Sequence, residues 1–349
     1  MDLNERKRKI LQAIIDEYIG TAEPVGSRSI SKKNDLGLSS ATIRNEMADL
    51  EELGFLVQPH TSAGRIPSDL GYRFYVNSLM HRYQVSVEAM ERLTQEFQKR
   101  VDKLDSIIKK ASFITSALTN YTTVATTPVL NQSEIKKIDL VSLGGDTVML
   151  ILVTKAGVVK NQVMHISLDD EMAAKFAAIL NSKFSGLTGD MITFDRIQEV
   201  QSELQNELNI HPKALIEILN FIYKTIESLD ETEVYVNNAK SLLTYPEYSD
   251  LQKAQEMFGF LEDQKNLKSI IAKDSDDKHL NVTIGSENKA EQLKDCSLIT
   301  VNYSLGDKPI GKLGVIGPKR MDYAKVIASL DCIASQIDKL LYEIYIEGE

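Results

Sequence analysis

At 349 residues, with 43% hydrophobic and 26% charged side chains, the chain is too long for one ordinary core and apolar enough to bury two or three. The net charge of −10 is unevenly placed: residues 1–83 hold 11 basic and 11 acidic side chains, so the acidic surplus lies wholly beyond them. A globally disordered chain is excluded, no apolar run reaches the roughly 18 residues of a membrane helix, and the balanced first segment keeps nucleic acid open as a partner, because phosphate binding follows local potential.

The first segment reads as three helices and a hairpin. Ile10, Leu11, Ile14, Tyr18 and Ile19 recur at helical spacing, with Gly20 as the expected stop. After the turn Pro24–Ser27, a short helix carries Arg28, Ile30, Lys32 and Lys33 and breaks at Asn34–Gly37. Ser39 then caps a third helix over 39–54, whose apolar face is Ile43, Met47, Leu50 and Leu53. Phe55–Val57 and Arg65–Ile66 read as two short strands around Thr61–Gly64, and a further helix follows through Tyr72, Tyr75 and Leu79. Two strands after a third helix make a wing, so residues 1–83 are expected to form a winged helix-turn-helix.

Residues 87–119 show the spacing of one long helix joining this head to the body. Strand patterns follow at 122–127, 135–143, 148–153 and 158–166, then mostly helices to about 260, then strands at 280–284, 298–303 and 312–316 and a closing helix over 323–345. Strands, helices and strands again predict a multidomain α+β chain: one α+β domain over 84–166 and 251–349, interrupted by an inserted domain over 167–250.

The third helix is the leading site candidate. With Ile43 and Met47 turned inward, Ser39, Ser40, Thr42, Arg44 and Asn45 can face a partner; Arg suits guanine and Asn suits adenine in the major groove, and hydroxyls suit phosphates or bases. This pattern alone fits an ordinary amphipathic surface helix equally well. In the hairpin, His60, Thr61, Ser62 and Arg65 offer donors to phosphate, and a plain hairpin explains them too. The run Arg6–Lys9 reads either as phosphate contacts or as a solvated helix end.

Enzyme chemistry finds no constellation. The histidines (60, 81, 165, 211 and 279) lack metal-site spacing, and nucleophile-elbow, Walker and dinucleotide motifs are missing, so neither catalysis nor a cofactor or metal is expected. Gly144–Asp146 reads as a hairpin turn, and Lys319–Arg320 after Gly317–Pro318 as a structural turn or an anion site. Cys296 and Cys332 stand far apart, and Met1–Arg6 lacks the apolar stretch of a signal peptide; both point to the cytoplasm.

The strings SSATIRNEMADLEELG (39–54) and QPHTSAGRIPSDLGYRFYV (58–76) resemble those of the heat-inducible transcription repressor HrcA family, as do Ile284–Asn288, Cys296–Leu298 and GKLGVIGPKRMDY (311–323). The resemblance covers nearly the whole chain and is weakest over about 167–250. It implies a dimeric repressor of class I chaperone operons that binds CIRCE, an inverted-repeat operator. It also implies a GAF-like body with an inserted dimerisation domain, and a chaperonin as modulator. Motif position carries DNA contact onto Ser40, Thr42, Arg44, Asn45, His60 and Arg65. The stripe Leu215, Ile218, Leu219, Ile222 and Ile226 is the expected dimer surface, or else the insert's own core. A ligand-sensing regulator is the alternative, because GAF-like folds often bind small molecules.

Overall fold

The computed structural model describes residues 3–33, 36–60, 64–80, 83, 104–127, 134–155, 159–166, 168–188, 191–208, 212–229, 233–273 and 279–345. It is a mixed α+β chain in two compact units: Met1–Thr127 with Glu233–Glu347, and Pro128–Thr232.

The first unit opens with α1 (Glu5–Thr21), α2 (Ser27–Lys33) and α3 (Ser40–Glu52). Their apolar stripes meet: Ile10, Leu11, Ile14, Ile30, Ile43, Met47 and Leu50 are all buried. The Asn4 side chain caps α1 by accepting the Lys7 amide at 2.9 Å. The helix runs past Gly20 and stops at Ala22, whose φ of 58° is left-handed and whose N–H returns to the Tyr18 carbonyl. Strands β1 (Leu56–Val57) and β2 (Ile66–Pro67) pair antiparallel. Arg65 and Val25 exchange both backbone bonds at 2.9 Å, fastening the hairpin to the α1–α2 turn. Next comes α4 (Asp69–Phe74), extended by a π-helical turn over Tyr75–Leu79. Of the long helix read from the sequence, α5 spans Leu104–Thr119; residues 87–103 lie outside the described residues.

The body of this unit is an antiparallel sheet in the order β7-β3-β10-β9-β8. Its strands are β3 (Thr122–Thr126), β7 (Val234–Asn237), β8 (Leu280–Ile284), β9 (Cys296–Leu305) and β10 (Lys308–Pro318). One face packs on α5 and the closing helix (Tyr323–Tyr345), which buries Val326, Leu330, Ile333, Ile337 and Leu341. The other face carries Val124, Leu298 and Ile316 against Met257, Phe260, Leu267 and Ile271 from the helices Leu251–Glu262 and Gln264–Lys273.

The second unit is a three-stranded antiparallel sheet, β4 (Ile135–Gly144), β5 (Thr147–Thr154) and β6 (Val159–Met164), with α6 (Asp170–Phe184), α7 (Phe194–Leu208) and α8 (Pro212–Leu229). One sheet face contributes Ile138, Leu140, Val148, Leu150 and Leu152 to a core with Phe176, Leu180, Phe184, Val200 and Leu204. The Asn181 amide donates to the Ile138 carbonyl at 2.6 Å and accepts the Ile138 amide at 2.8 Å, closing the β4 edge.

Two sequence expectations change here. The interruption falls at 128–232, earlier than 167–250, because strands 135–164 pair only with one another while Val234–Asn237 pairs with β3. Alternation identifies a strand but not the sheet it joins. The stripe read as dimer surface or as the insert's own core resolves toward the second at Ile218, Leu219 and Ile222, which are buried in this unit's own core. The side chains of Leu215 and Ile226 lie outside the described residues. The positions of α8 that reach solvent include Ile216 and Tyr223. Among the described residues, the second sheet face is also open and apolar: Val141, Met149 and Val163 stand in register across β4, β5 and β6, and Val141 and Val163 are exposed.

Candidate nucleic-acid interface

Three of the proposed contact residues have local duties. Ser39 caps α3, its oxygen accepting the Thr42 amide at 3.1 Å and lying 2.9 Å from the Thr42 hydroxyl. The Ser40 hydroxyl meets that of Ser27 at 3.1 Å, which brings the beginnings of α2 and α3 together. These hydroxyls set the geometry of the two helix starts and keep lone pairs for a further donor or acceptor.

The solvent face of α3 carries Ala41, Arg44, Asn45 and Ala48, exposed at spacings of three and four, with the exposed acid Glu52 one turn further on. Two small residues flank one Arg and one Asn, a surface that lets a helix approach a groove closely while presenting both major-groove readers.

Three of the four acids of α3 are paired from behind, and the fourth, Glu52, is exposed. Glu46 takes Lys7 at 2.7 Å and Arg6 at 3.3 Å, and Asp49 takes Lys7 at 2.7 Å. Arg6 and Lys7, open from sequence between phosphate contacts and a solvated helix end, thus reach acids of α3. Glu51 takes Arg65 through both Nε and a terminal nitrogen at 2.8 Å. Arg65, with its side chain only 20% exposed, therefore braces the hairpin against α3. His60 is exposed in the hairpin; Thr61 and Ser62 lie outside the described residues.

Among the described residues, Arg28, Lys32 and Arg44 are exposed with no hydrogen-bond or ion-pair partner. Arg28 follows Ser27 directly, so the Ser27–Ser40 contact sets it beside the start of α3. Arg28 and Lys32 are not among the contact residues expected from the sequence. The available signal was α2 itself, SRSISKK, which contains no acid to pair with its bases. The result is a cationic front formed by α2 and the first half of α3, with Glu46, Asp49 and Glu51 held from α1 and the hairpin.

Comparison with known proteins is consistent over the whole chain. The model of the HrcA protein C terminal domain matches residues 105–327. The heat-inducible transcription repressor HrcA of Acetivibrio thermocellus is 41% identical over 341 residues, covering 97% of this chain and 96% of that one. Its namesake from Clostridium tetani is 41% identical over 345 residues, covering 98% and 96%. A solved structure described as a hypothetical protein at 2.2 Å resolution superposes with a TM-score of 0.70 at 25% identity, covering 97% of this chain and 99% of that one. These matches place the chain among heat-inducible transcription repressors. It belongs to the HrcA family.

Proposed function

We propose that the chain represses class I chaperone operons by binding a CIRCE-type inverted repeat in double-stranded DNA. Residues 3–80 act as a winged helix-turn-helix, the five-stranded body is GAF-like, and the inserted unit holds a homodimer together in the cytoplasm. The observation that carries this reading is the α3 face Ala41–Arg44–Asn45–Ala48 beside the unpaired cations Arg28 and Lys32. A helix-turn-helix places its second helix in the major groove while the first crosses the backbone, and α2 followed by α3 supports giving them these two roles.

The test is titration of an inverted-repeat operator against scrambled DNA across a salt series. Arg44→Ala is expected to cost about 1–3 kcal/mol and to relax preference at one operator position. Arg28→Ala should weaken all sequences alike and reduce the salt slope by about one. Arg65→Ala should act through stability of the hairpin, since its partner is Glu51. Unchanged affinity in both Arg44→Ala and Arg28→Ala removes this surface from the reading.

For the dimer, the open sheet face around Val141, Met149 and Val163 replaces the buried α8 stripe as the proposed contact. Replacing 128–232 by a short turn between Thr127 and Glu233 is expected to leave a folded monomer by light scattering. A deletion variant that stays dimeric refutes the assignment. A chaperonin fits as modulator because warming raises the unfolded fraction of a marginally stable chain and exposes the apolar cores.

For the ligand-sensing alternative, the first unit offers among its described residues a cavity of about 600 Å³ lined in part by Tyr18, Asp69, Tyr72, Glu247, Lys319 and Arg320. Its cations already meet acids: Lys319 with Asp69 at 2.9 Å, Arg320 with Glu247 at 2.7 Å and Lys253 with Asp295 at 3.0 Å. That internal neutrality favours a structural joint over a ligand site.

A further inference from the structure

The strings 284–288 and 311–323 contribute nothing to the α3 face, yet residues from both meet the α4 region of the head. Asp69 at the start of α4 accepts the Ser286 backbone N–H at 2.9 Å and pairs with Lys319 at 2.9 Å. Burial alone would raise its carboxyl pKa; the Ser286 N–H and the Lys319 ammonium together hold it below the ordinary value. One turn on, Arg73 forks onto Glu287, with its Nε at 2.8 Å, and donates to the Val282 carbonyl at 2.5 Å. A third anchor comes from Arg320, bidentate with Glu247 at 2.7 and 3.3 Å, which reaches the Ile19 carbonyl near the end of α1 at 3.5 Å. Between the anchors, Tyr72 and Tyr323 pack with ring centroids 5.9 Å apart, both buried.

The receiving turn is held by bonds of its own. The buried Asn288 amide donates to the carbonyls of Gly285, Leu293 and Cys296 at 3.0, 3.0 and 3.1 Å, and Glu287 also accepts the Ile284 amide at 2.8 Å. Gly285 sits at φ +54°, and a Cβ there would lie 2.3–2.5 Å from the Asp69 carboxylate, so the socket admits Asp69 only because this residue is glycine. Three contacts that do not lie on one line fix every rotation of a rigid body. Residues more than 200 positions away thus hold the head where a connecting chain alone would leave it to swing.

We propose that Asp69, Arg73, Lys319 and the turn Gly285–Glu287 are positioning residues that fix the orientation of each DNA-reading head on the body, and thereby set the spacing of the two half-sites that a dimer of this chain accepts. The proposal rests on the DNA-binding reading above. Successive base pairs turn a half-site about the DNA axis by roughly a tenth of a turn, so a head locked in orientation accepts one spacing and a hinged head accepts several. Locking also preorganises the pair of heads, which raises affinity at the matched spacing.

The experiment uses the full chain and its Asp69→Asn, Lys319→Gln and doubly substituted variants. Each is titrated against inverted repeats with constant half-sites whose spacer changes one base pair at a time, and against a single half-site. The unsubstituted chain is expected to favour one spacing sharply. The double variant should lose tenfold or more of that preference while binding the single half-site as before. Should Asp69→Asn unfold the unit by circular dichroism, Lys319→Gln, which keeps the Ser286 contact, is read in the same assay and should lose part of the preference. A folded variant lacking the Lys319–Asp69 pair that keeps the full spacing preference overturns the proposal. An unsubstituted chain that binds no repeat at any spacing overturns the DNA-binding reading, and this one with it.

Discussion

Phe176→Ala is expected to destabilise the inserted unit by about 3–5 kcal/mol, the usual cost of emptying a well-packed aromatic site. Phe176 is fully buried on α6 among residues of β4, β5, α7 and α8, and this core shares no residue with the cluster beneath the five-stranded sheet. Calorimetry should therefore show one early transition, with the melting of the first unit nearly unmoved. For a unit of this size each 1 kcal/mol moves the midpoint by roughly 4–8 °C, so the early transition should fall by more than about 12 °C. If the insert holds the dimer, operator occupancy should be lost at that lower temperature, giving a repressor that releases DNA without heat stress. A single transition that moves as a whole would show that the two cores melt together.

Gly71→Ala should be nearly as severe, by crowding rather than by a void. A Cβ on Gly71 would lie 2.3 Å from the Phe55 carbonyl oxygen and 3.3 Å from its carbon, and that carbonyl already accepts the Ser68 N–H at 3.0 Å. Both partners are backbone, so no rotamer change relieves the contact. A cost of about 3 kcal/mol is expected, at the upper end for overpacking. Operator affinity should fall by 100-fold or more, and proteolysis should begin within residues 3–80 while the five-stranded body stays protected. The adjacent Leu70→Ala is the control: Leu70 is largely exposed and its loss should stay within about 0.5 kcal/mol. Equal effects of the two substitutions would discard the crowding argument.

The head was legible because its signals are local. The 3.6-residue period placed Ile43, Met47 and Leu50 on one buried face, and Ser39 was recognisable as a cap from its place before it. Less local features are harder to read. Gly20 reads as the stop of α1, but the chain turns at Ala22, where a backbone bond to Tyr18 sets the cap. Arg65 reads as a phosphate contact because Glu51, its partner, is 14 residues away and meets it only after the hairpin folds back on α3. Ile218, Leu219 and Ile222 show an apolar face without showing what covers it, and here the unit covers them itself. The joint was least legible of all, since Arg73 and Glu287 are separated by 214 positions and each is unremarkable alone.

The neck of the inserted unit has a consequence for how the chain folds. Thr127 donates its amide to the Glu233 carbonyl at 2.8 Å, and the Thr127 hydroxyl accepts the Glu233 amide at 2.8 Å, just beyond the paired residues Thr126 and Val234. Entry and exit are thus neighbours on adjacent strands, and the whole unit occupies the place of a hairpin turn. Pairing β3 with β7 closes a loop of more than a hundred residues, but an insert that has already collapsed presents its two ends side by side and shortens that loop to a few. Refolding should accordingly be sequential, with protection of amides in β4, β5 and β6 preceding protection in β7. The same neck makes the insert portable: placed at a tight turn between two antiparallel strands of another protein, it should fold without disturbing the host register.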